Sequence, residues 1–464
     1  MSIRLDKLLL LSSAGICYNF RELMAEASKE ISIECPVVCS LQREDGSPQA
    51  EETQAIARLD TDGLTLFPET GDELMVTYRN ILDFIAGDYR ISLTLASRDK
   101  IVLSGLGYQY ESFLRILSQL RNGMLLKDML MEESLKSAWK DAGFSFSDKA
   151  GMELKGSCEL RLYGTGLVVM PEFGEVIRVS YSDIGGLKAG DYVLSLTTEE
   201  GEVLALSQLG RNFDPFRAAL LDAKQELALK AQAILNEALP ELDSMLLRKA
   251  SQLMKEGRAA MKADLDKISP EIWTRLEKRL SGFGLSEEYA FLKSLAQEDR
   301  LCIGIKRGLM GDLTGEYIWF LVPICSQDPS KPGNAVALEA ASEGGEGKAT
   351  YFFRLMPRQD YRNSSDFSSV LQEVDRSIRI INRCMREINF RREPIYLSDE
   401  RLQEAAYVKY LFAVLKLQAL RFLRERFIGR VIHASPEQWK QDVLDLLKFN
   451  VEADYDNQKW KKEA

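Results

Sequence analysis

The stretch that decides the fold is GLTLFPETGDELMVTYRNILDFIAGDYRISLTLASRDKIVLSGLGYQYESFLRIL, from Gly63 to Leu117, because the chain contains it twice. The second copy, GLVVMPEFGEVIRVSYSDIGGLKAGDYVLSLTTEEGEVLALSQLGRNFDPFRAAL, runs from Gly166 to Leu220. The two align at an offset of 103 residues without a gap, with 21 identities in 55 positions. Similarity of this length within one chain indicates a repeat of one structural unit.

Each copy begins with a strand pattern and ends with a helical one. In the first copy the β-forming residues Leu74, Val76 and Tyr78 recur at every second position, which is typical of half-buried strands. Near its end Phe113 and Leu117 are four residues apart, the spacing of one helix face. The second copy repeats both patterns. We therefore predict two small antiparallel sheets, each finished by one C-terminal helix.

This layout resembles the pleckstrin-homology-like superfold, and especially its GRAM-type members. The resemblance implies a bent, partly open barrel of about seven strands plugged by a C-terminal helix, over roughly residues 30–125 and 150–235. Another small α+β unit is the alternative fold. The features that carry the resemblance are the Gly-Leu strand starts, the strand ends and the Leu-Gly transitions into the helix: Gly63, Gly166, Tyr78 to Ile81, Tyr181 to Ile184, Leu106 and Leu209.

The lipid binding of that family is not expected here. Lipid-binding members place lysine and arginine near the first loop between strands. The matching turns of this chain are Asp60–Gly63 and Tyr163–Gly166, and neither contains a cation. An anionic headgroup would meet no opposite charge at these turns.

The predicted fold class is α+β, with two tandem antiparallel β-barrel-like units each closed by a C-terminal helix, a helical linker, and a C-terminal sheet-plus-helices domain. We expect the linker's apolar stripe to pack on its neighbours, with a coiled-coil dimer arm as the alternative. The predicted domains are the first repeat with flanking helices (1–145), the second repeat (146–235), the linker (236–299) and the C-terminal α+β domain (300–464).

Further elements are predicted outside the repeat from local pattern. The predicted helices are Met124 to Trp139, Ser269 to Arg279, Leu285 to Ala296, Asp366 to Phe390, Ser398 to Ile428, and Ser435 to about Leu447. The predicted strands of the C-terminal domain are Cys302 to Ile305, Glu316 to Ile324, Ala335 to Ala341 and Ala349 to Leu355.

Composition excludes several classes of protein. The chain has 464 residues, 45% hydrophobic and 28% charged, which describes a folded protein of about three domains. Its seven cysteines form no CxxC pair, so reduced thiols and a cytoplasmic location are expected. Leu8 to Phe20 resembles a signal peptide, but Asp6 and Ile16 break the pattern. No later stretch is apolar for long enough to span a membrane.

No catalytic, metal or cofactor site is predicted. The segment GGEGKAT, Gly344 to Thr350, lacks the glycine and the hydroxyl residue that a phosphate loop requires, and a hairpin loop is expected there. A Cys/His zinc site is not expected, because His433 is the single histidine and no CxxC pair accompanies it. We expect it to be structural or exposed, because no nucleophile motif accompanies it.

One group of cations is a candidate binding surface. Across 376–430 there are 13 Lys and Arg against 6 Asp and Glu, a net charge of +7 in a chain whose total is −10. The spacing places the first four arginines on one helix face. Such a face is either solvated or paired within the molecule, or it binds phosphates or an acidic partner. The candidate residues are Arg376, Arg379, Arg383, Arg386, Arg421 and Arg424.

The sequence thus favours a non-catalytic protein-binding or scaffold protein with a protein partner, and leaves a homodimer open. The first alternative is a nucleic-acid- or phosphate-associated factor that uses the basic helical face, although the negative total charge disfavours nucleic acid. The second is an enzyme with an unrecognised carboxylate site.

Overall fold

The computed structural model describes residues 32–130, 133–149, 151–307, 316–328, 331–342, 349–364 and 366–460. The signal-peptide-like run Leu8 to Phe20, Cys17 and residues 343–348 of the expected hairpin loop lie outside this part of the chain. Contacts between residues group the chain into two compact units, 1–120 and 121–464. The predicted division into four domains is finer than this and stays a prediction.

The first unit contains one seven-stranded sheet in which all neighbouring strands are antiparallel. The strands lie in the order β4-β3-β2-β1-β7-β6-β5. The helix α1 (Tyr110–Leu130) follows, and its Phe113 and Leu117 are fully buried. The strands are β1 (Ile33–Gln42), β2 (Pro48–Leu59), β3 (Gly63–Pro68), β4 (Leu74–Thr77), β5 (Ile81–Gly87), β6 (Arg90–Leu95) and β7 (Lys100–Ser104).

The second sheet repeats the first strand for strand, in the order β11-β10-β9-β8-β14-β13-β12. From β10 onward every element begins 103 residues after its counterpart, down to α2 (Phe213–Ala238). The curled sheets with a closing helix confirm the predicted fold of the repeat. The strands are β8 (Ser137–Ser147), β9 (Glu153–Leu162), β10 (Gly166–Pro171), β11 (Ile177–Ser180), β12 (Ile184–Gly190), β13 (Val193–Thr198) and β14 (Val203–Ser207).

A buried tyrosine closes the same turn in both copies. The hydroxyl of Tyr78 donates to the carbonyl of Asp60 at 2.6 Å, and that of Tyr181 donates to the carbonyl of Tyr163 at 3.0 Å. The strand that leaves this turn begins with glycine because its neighbour approaches closely. A Cβ at Gly63 would lie 2.3 Å from the carbonyl oxygen of Val76. Identical residues thus meet identical constraints in the two copies.

The third sheet has six antiparallel strands in chain order. Both of its faces are covered, so β17 is apolar along most of its length and buried at every residue. The strands are β15 (Ala260–Met261), β16 (Cys302–Arg307), β17 (Glu316–Ile324), β18 (Ala335–Ser342), β19 (Ala349–Arg354) and β20 (Phe427–Ile432).

Two helical layers sandwich this sheet. One hydrophobic cluster joins its first face to α3, α4, α5, α6 and α12, and the other joins the opposite face to α7 to α11. The predicted linker helices therefore pack on the sheet. The helices are α3 (Ser244–Leu253), α4 (Lys262–Asp266), α5 (Pro270–Gly282), α6 (Ser286–Ser294), α7 (Arg358–Asn363), α8 (Phe367–Glu387), α9 (Glu393–Tyr396), α10 (Leu411–Lys416), α11 (Gln418–Arg426) and α12 (Pro436–Glu452).

Two predicted helices are wrong. Met124 to Trp139 is not one helix, because α1 continues through Asn122, whose side chain donates to the carbonyl of Gly174, and β8 begins at Ser137. The first strand of the second sheet therefore begins at Ser137. Ser398 to Ile428 is broken into short helical segments, and its last residues pair with β19 as strand β20. The predicted helices in α5, α6, α8 and α12 are confirmed, as are strands β16 to β19.

No helix within the described ranges is long and apolar enough to cross a membrane. The six cysteines in those ranges are all buried and unpaired. All five tryptophans lie in the second unit, at Trp139, Trp273, Trp319, Trp439 and Trp460.

Replacing Tyr181 by phenylalanine should lower the free energy of unfolding by about 1–2 kcal/mol, because the buried carbonyl of Tyr163 loses its donor. Tyr192→Phe is the matched control: Tyr192 is 71% exposed, whereas Tyr181 is 1% exposed. Urea unfolding followed by circular dichroism measures both variants. Equal stability of the two variants would contradict the role given to the buried hydroxyl.

Candidate binding surfaces

Helix α8 presents four of the six predicted arginines on one face. The helix starts at Asp366, whose carboxylate accepts the backbone N–H of Ser368 at 2.9 Å. The opposite face is buried against the third sheet, as the sequence predicts, and it includes Val374, Ile378, Ile381 and Met385. The face that carries the arginines therefore lies opposite the buried one, and two of its members, Arg383 and Arg386, contact the second copy of the repeat.

Arg386 is used inside the molecule as a clamp on the second copy. Its guanidinium donates to the carboxylate of Asp183 at 2.5 Å and to the hydroxyl of Ser182. The side chain is only 9% exposed, and its charge is therefore largely desolvated. The nearby carboxylates outweigh burial and raise the pKa of Arg386. This pair attaches the turn between β11 and β12 to α8.

Glu256 strengthens the same contact from a third segment. It accepts hydrogen bonds from Ser182 at 2.8 Å and from Ser180 at 3.1 Å. Its φ of 52° is left-handed, an uncommon conformation for a non-glycine residue. The strained backbone directs its carboxylate at the turn that Arg386 also holds. Three segments distant in sequence thus meet at one polar cluster.

Arg383 is also paired within the molecule. It donates to Glu202 at 3.1 Å and to Glu387, one turn along the helix, at 2.8 Å. Burial opposes its charge, but the carboxylates of Glu387 and Glu202 raise the pKa of Arg383 overall. Glu202 lies just before β14, so this arginine makes a second link between α8 and the repeat.

The first two arginines of the stripe are more exposed. Arg376 pairs weakly with Glu373 at 3.4 Å and lies over the Phe422 ring at 5.6 Å. Arg379 is exposed and forms no ion pair with any described residue. Of the four arginines on α8, Arg379 is the one whose guanidinium remains available to a ligand.

The two arginines predicted on the later helix have different surroundings. Arg424 donates to the carbonyls of Pro394 and Leu397, both at 2.8 Å, and to Asp399 at 2.7 Å. It thus ties α11 to the segment before it. Arg421 is exposed. A binding role for the six arginines stays a prediction, although three of them are largely occupied by internal contacts.

A cleft of about 330 Å³ separates α8 from the second copy. Five cations and three carboxylates line it, together with Asn382. The side-chain amide of Asn382 accepts the backbone N–H of Ala259 and donates to its carbonyl. Arg258 pairs with Glu199 at 3.0 Å across part of the wall. The charged lining residues are Lys149, Arg258, Arg379, Arg383, Arg386, Asp183, Glu199 and Glu200.

His433 follows strand β20 and is partly buried between two carboxylates. Its Nδ1 lies 3.2 Å from Glu288 on α6, and its Nε2 lies 3.0 Å from Glu339 on β18. Thr350 donates to the same oxygen of Glu339, and Trp439 donates to Thr350 at 3.0 Å. Burial alone would lower the pKa of His433, but the hydrogen bonds to Glu288 and Glu339 raise it to about 9. The imidazolium therefore links the helical layer to the sheet.

A pair of exposed turns was missed as a candidate site by the sequence analysis. The hairpins β5–β6 and β12–β13 both contain Ala-Gly-Asp-Tyr, which ends at Tyr89 and Tyr192. Both tyrosines are 71% exposed and left-handed, with φ of 56° and 58°. The available signal was the run of four consecutive identities at a chain reversal, where a repeat normally diverges.

The described residues offer no group of three or more His, Cys, Asp and Glu arranged to hold a metal ion.

Comparison with known proteins identifies no family. No family model matches the chain, and no curated protein matches it. One similar solved structure is the C-terminal domain of an unknown protein from Leishmania infantum, with 13% identity, a TM-score of 0.18, and coverage of 22% of this chain and 96% of that one. Another is the Spt16D Pob3N heterodimer, with 16% identity, a TM-score of 0.15, and coverage of 36% and 83%. At these TM-scores neither likeness assigns a function.

Replacing Arg386 by glutamine should lower the free energy of unfolding of the second unit by about 2–4 kcal/mol, because Asp183 loses its partner in a largely buried site. The matched control is Arg379→Gln on the same helix, which should change it by less than about 0.5 kcal/mol. Urea unfolding measures both. An effect of Arg386→Gln no larger than that of the control would refute the clamp.

The His433 cluster predicts a fall in stability as pH rises. The folded pKa of about 9 lies above the ordinary value of about 6.5, so the contribution is complete below pH ~6.5 and lost as pH passes ~9. The loss should reach about 3 kcal/mol, at no more than about 1.4 kcal/mol per pH unit.

The difference in free energy of unfolding between the wild type and His433→Gln, measured across pH, separates the contribution of His433 from that of other titrating groups. His433 is the single histidine, so its imidazole resonance in an NMR titration is unambiguous. A midpoint near 6.5, or a stability difference that does not change with pH, would exclude the charged bridge.

Proposed function

We propose that this chain is a non-catalytic, cytoplasmic protein-binding scaffold built on two tandem pleckstrin-homology-like modules of GRAM type. The observation that carries the proposal is the repeated exposed turn Ala-Gly-Asp-Tyr at Tyr89 and Tyr192. The two copies differ at 34 of the 55 aligned positions, yet they agree at all four residues of this turn.

Folding alone does not favour a tyrosine at these two positions. The turn joins its strands through two left-handed residues, Asp88 and Tyr89 in the first copy. Such two-residue turns favour Asn-Gly or Asp-Gly, because glycine takes this conformation without steric cost. A large aromatic residue is strained there, and strained residues cluster at binding sites. Retention in both copies supports a role in recognition.

The two copies differ in how they can use their other surfaces. The second copy is attached to the C-terminal domain through Ser182 and Asp183. The aligned residues of the first copy are Arg79 and Asn80, which would offer Arg386 a like charge and a neutral amide. The first copy therefore lacks the residues for this attachment, so the exposed turn is the surface feature that the two copies share.

The cleft beside α8 supports a second candidate, binding of a phosphate or another anion. Five of its eight charged lining residues are cations, and Arg379 and Lys149 form no ion pair with other described residues. Binding there should weaken with salt and fall in Arg379→Glu, a variant that leaves the clamp at Arg386 intact.

A double variant, Tyr89→Gly with Tyr192→Gly, should lose the partner without losing the fold. Relief of the left-handed strain, about 1 kcal/mol per residue, offsets the lost ring contacts of similar size. We expect stability within about 1 kcal/mol of the wild type. Affinity capture from the native cell extract, with captured proteins quantified by mass, should show one stoichiometric protein absent from the double variant.

The control is Tyr455→Ala, which removes a tyrosine that is 67% exposed in the C-terminal segment. This variant should retain the partner. Equal capture by the wild type and the double variant would contradict the proposal, and salt-labile nucleic acid in place of a protein would support the second candidate.

A further inference from the structure

The two turn tyrosines, Tyr89 and Tyr192, each belong to a pair of aromatic rings. Tyr89 lies against Tyr110 at the start of α1, with ring centroids 5.4 Å apart and planes at 57°. Tyr192 lies against Phe213 at the start of α2, at 5.8 Å and 68°. The hydroxyl of Tyr110 also donates to the carbonyl of Arg90 at 3.3 Å, which holds the hairpin against the helix. Each pair is therefore a small, positioned aromatic corner that is open to solvent.

Carboxylates flank both corners. Asp88 and Asp191 precede the tyrosines and are exposed. Burial, and after it the negative charge of Asp88, raise the pKa of Tyr110, so this carboxylate lies near the rings. The first turns of α1 and α2 each add one more acidic residue. In α2 this residue is Asp214, which pairs with Arg217 at 3.2 Å. Neither Asp88 nor Asp191 pairs with another described residue.

The space beside each corner is open. A Cβ placed on Gly87 or Gly190, next to the turn, would meet no atom within 4 Å. Within the described part of the chain, no lysine or arginine lies over the ring of Tyr89 or Tyr192. The ring faces and the carboxylates of Asp88 and Asp191 thus remain available to an incoming group.

Aromatic faces beside carboxylates are the chemistry that recognises a cation. The face of a tyrosine ring is electron-rich and attracts an ammonium or guanidinium group within about 6 Å of its centroid. An adjacent carboxylate adds a direct ionic attraction. We infer that each turn binds a lysine or arginine side chain of an extended, basic segment of the partner protein. This inference rests on the proposed function and names the chemistry of its partner.

The charge of the first unit matches such a partner. Its described residues, 32–120, include 14 Asp and Glu against 7 Lys and Arg. A basic segment is attracted to this field before it makes contact, whereas an acidic or phosphorylated one is repelled. The competing occupant is a second copy of this chain, because its exposed Arg379 on α8 and Arg421 on α11 could also supply the cation.

The test uses the full chain and two labelled peptides, one of alternating lysine and glycine and one of alternating glutamate and glycine. Fluorescence anisotropy at low and high salt measures binding of each. The wild type should bind the lysine peptide, more weakly at high salt, and should not bind the glutamate peptide. The double variant Tyr89→Gly/Tyr192→Gly should bind the lysine peptide at least about fivefold more weakly.

Two further double variants separate the ring from the charge. Tyr89→Phe/Tyr192→Phe keeps the ring faces and should retain binding within about twofold. Asp88→Asn/Asp191→Asn keeps the turn, since asparagine accepts this conformation, and should weaken binding about threefold while reducing its salt dependence. Tyr455→Ala should bind as the wild type does.

The inference is overturned if the lysine peptide binds the Tyr→Gly variant as tightly as the wild type, or if the glutamate peptide binds equally well. Loss of the cellular partner from the Tyr→Gly variant without lysine-peptide binding would keep the proposed function and remove the cationic chemistry. Lysine-peptide binding without capture of a cellular protein would keep the cationic chemistry and remove the proposed function. Concentration-dependent dimers that the Tyr→Gly variant abolishes would identify a second copy as the occupant, and overturn the separate partner.

Discussion

The buried ion pair between Arg386 and Asp183 is the interaction on which the arrangement of the second unit depends. It takes two charges largely out of water, and the hydroxyl of Ser182 and the carboxylate of Glu256 complete the hydrogen bonding that such a site requires. Through it the turn after β11 is attached to α8. Both residues of this pair line the cleft beside α8, together with Arg379 and Arg383.

The repeat shows how one fold can carry two different surfaces. The buried tyrosines, Tyr78 and Tyr181, and the strand-start glycines are shared because each copy needs them to close its sheet. The residues two and three positions after β11, Ser182 and Asp183, are not shared, because only the second copy carries the clamp. Ser182 and Asp183 thus differ from their counterparts where a contact differs, whereas the exposed turn is unchanged.

Local pattern was enough to predict the repeat and the elements with a strong period. The apolar face of α8 and the buried strand β17 are examples, since each depends on neighbours in sequence. The fate of the arginines could not be predicted, because Asp183 lies 203 residues from Arg386. The contacts of His433 could not be predicted either, because its partners lie 145 and 94 residues away in the sequence. Strand β20 was not predicted, because its pairing with β19 outweighs the helical pattern that precedes it.

The distribution of tryptophan gives the two units different optical properties. All five indoles belong to residues 121–464, and Trp319 and Trp439 are buried there. The first unit contains tyrosine as its only strongly emitting side chain. Indole emission therefore reports melting of the second unit alone, whereas far-ultraviolet ellipticity sums over both units. A gap between the two denaturation curves would measure how independently the units unfold.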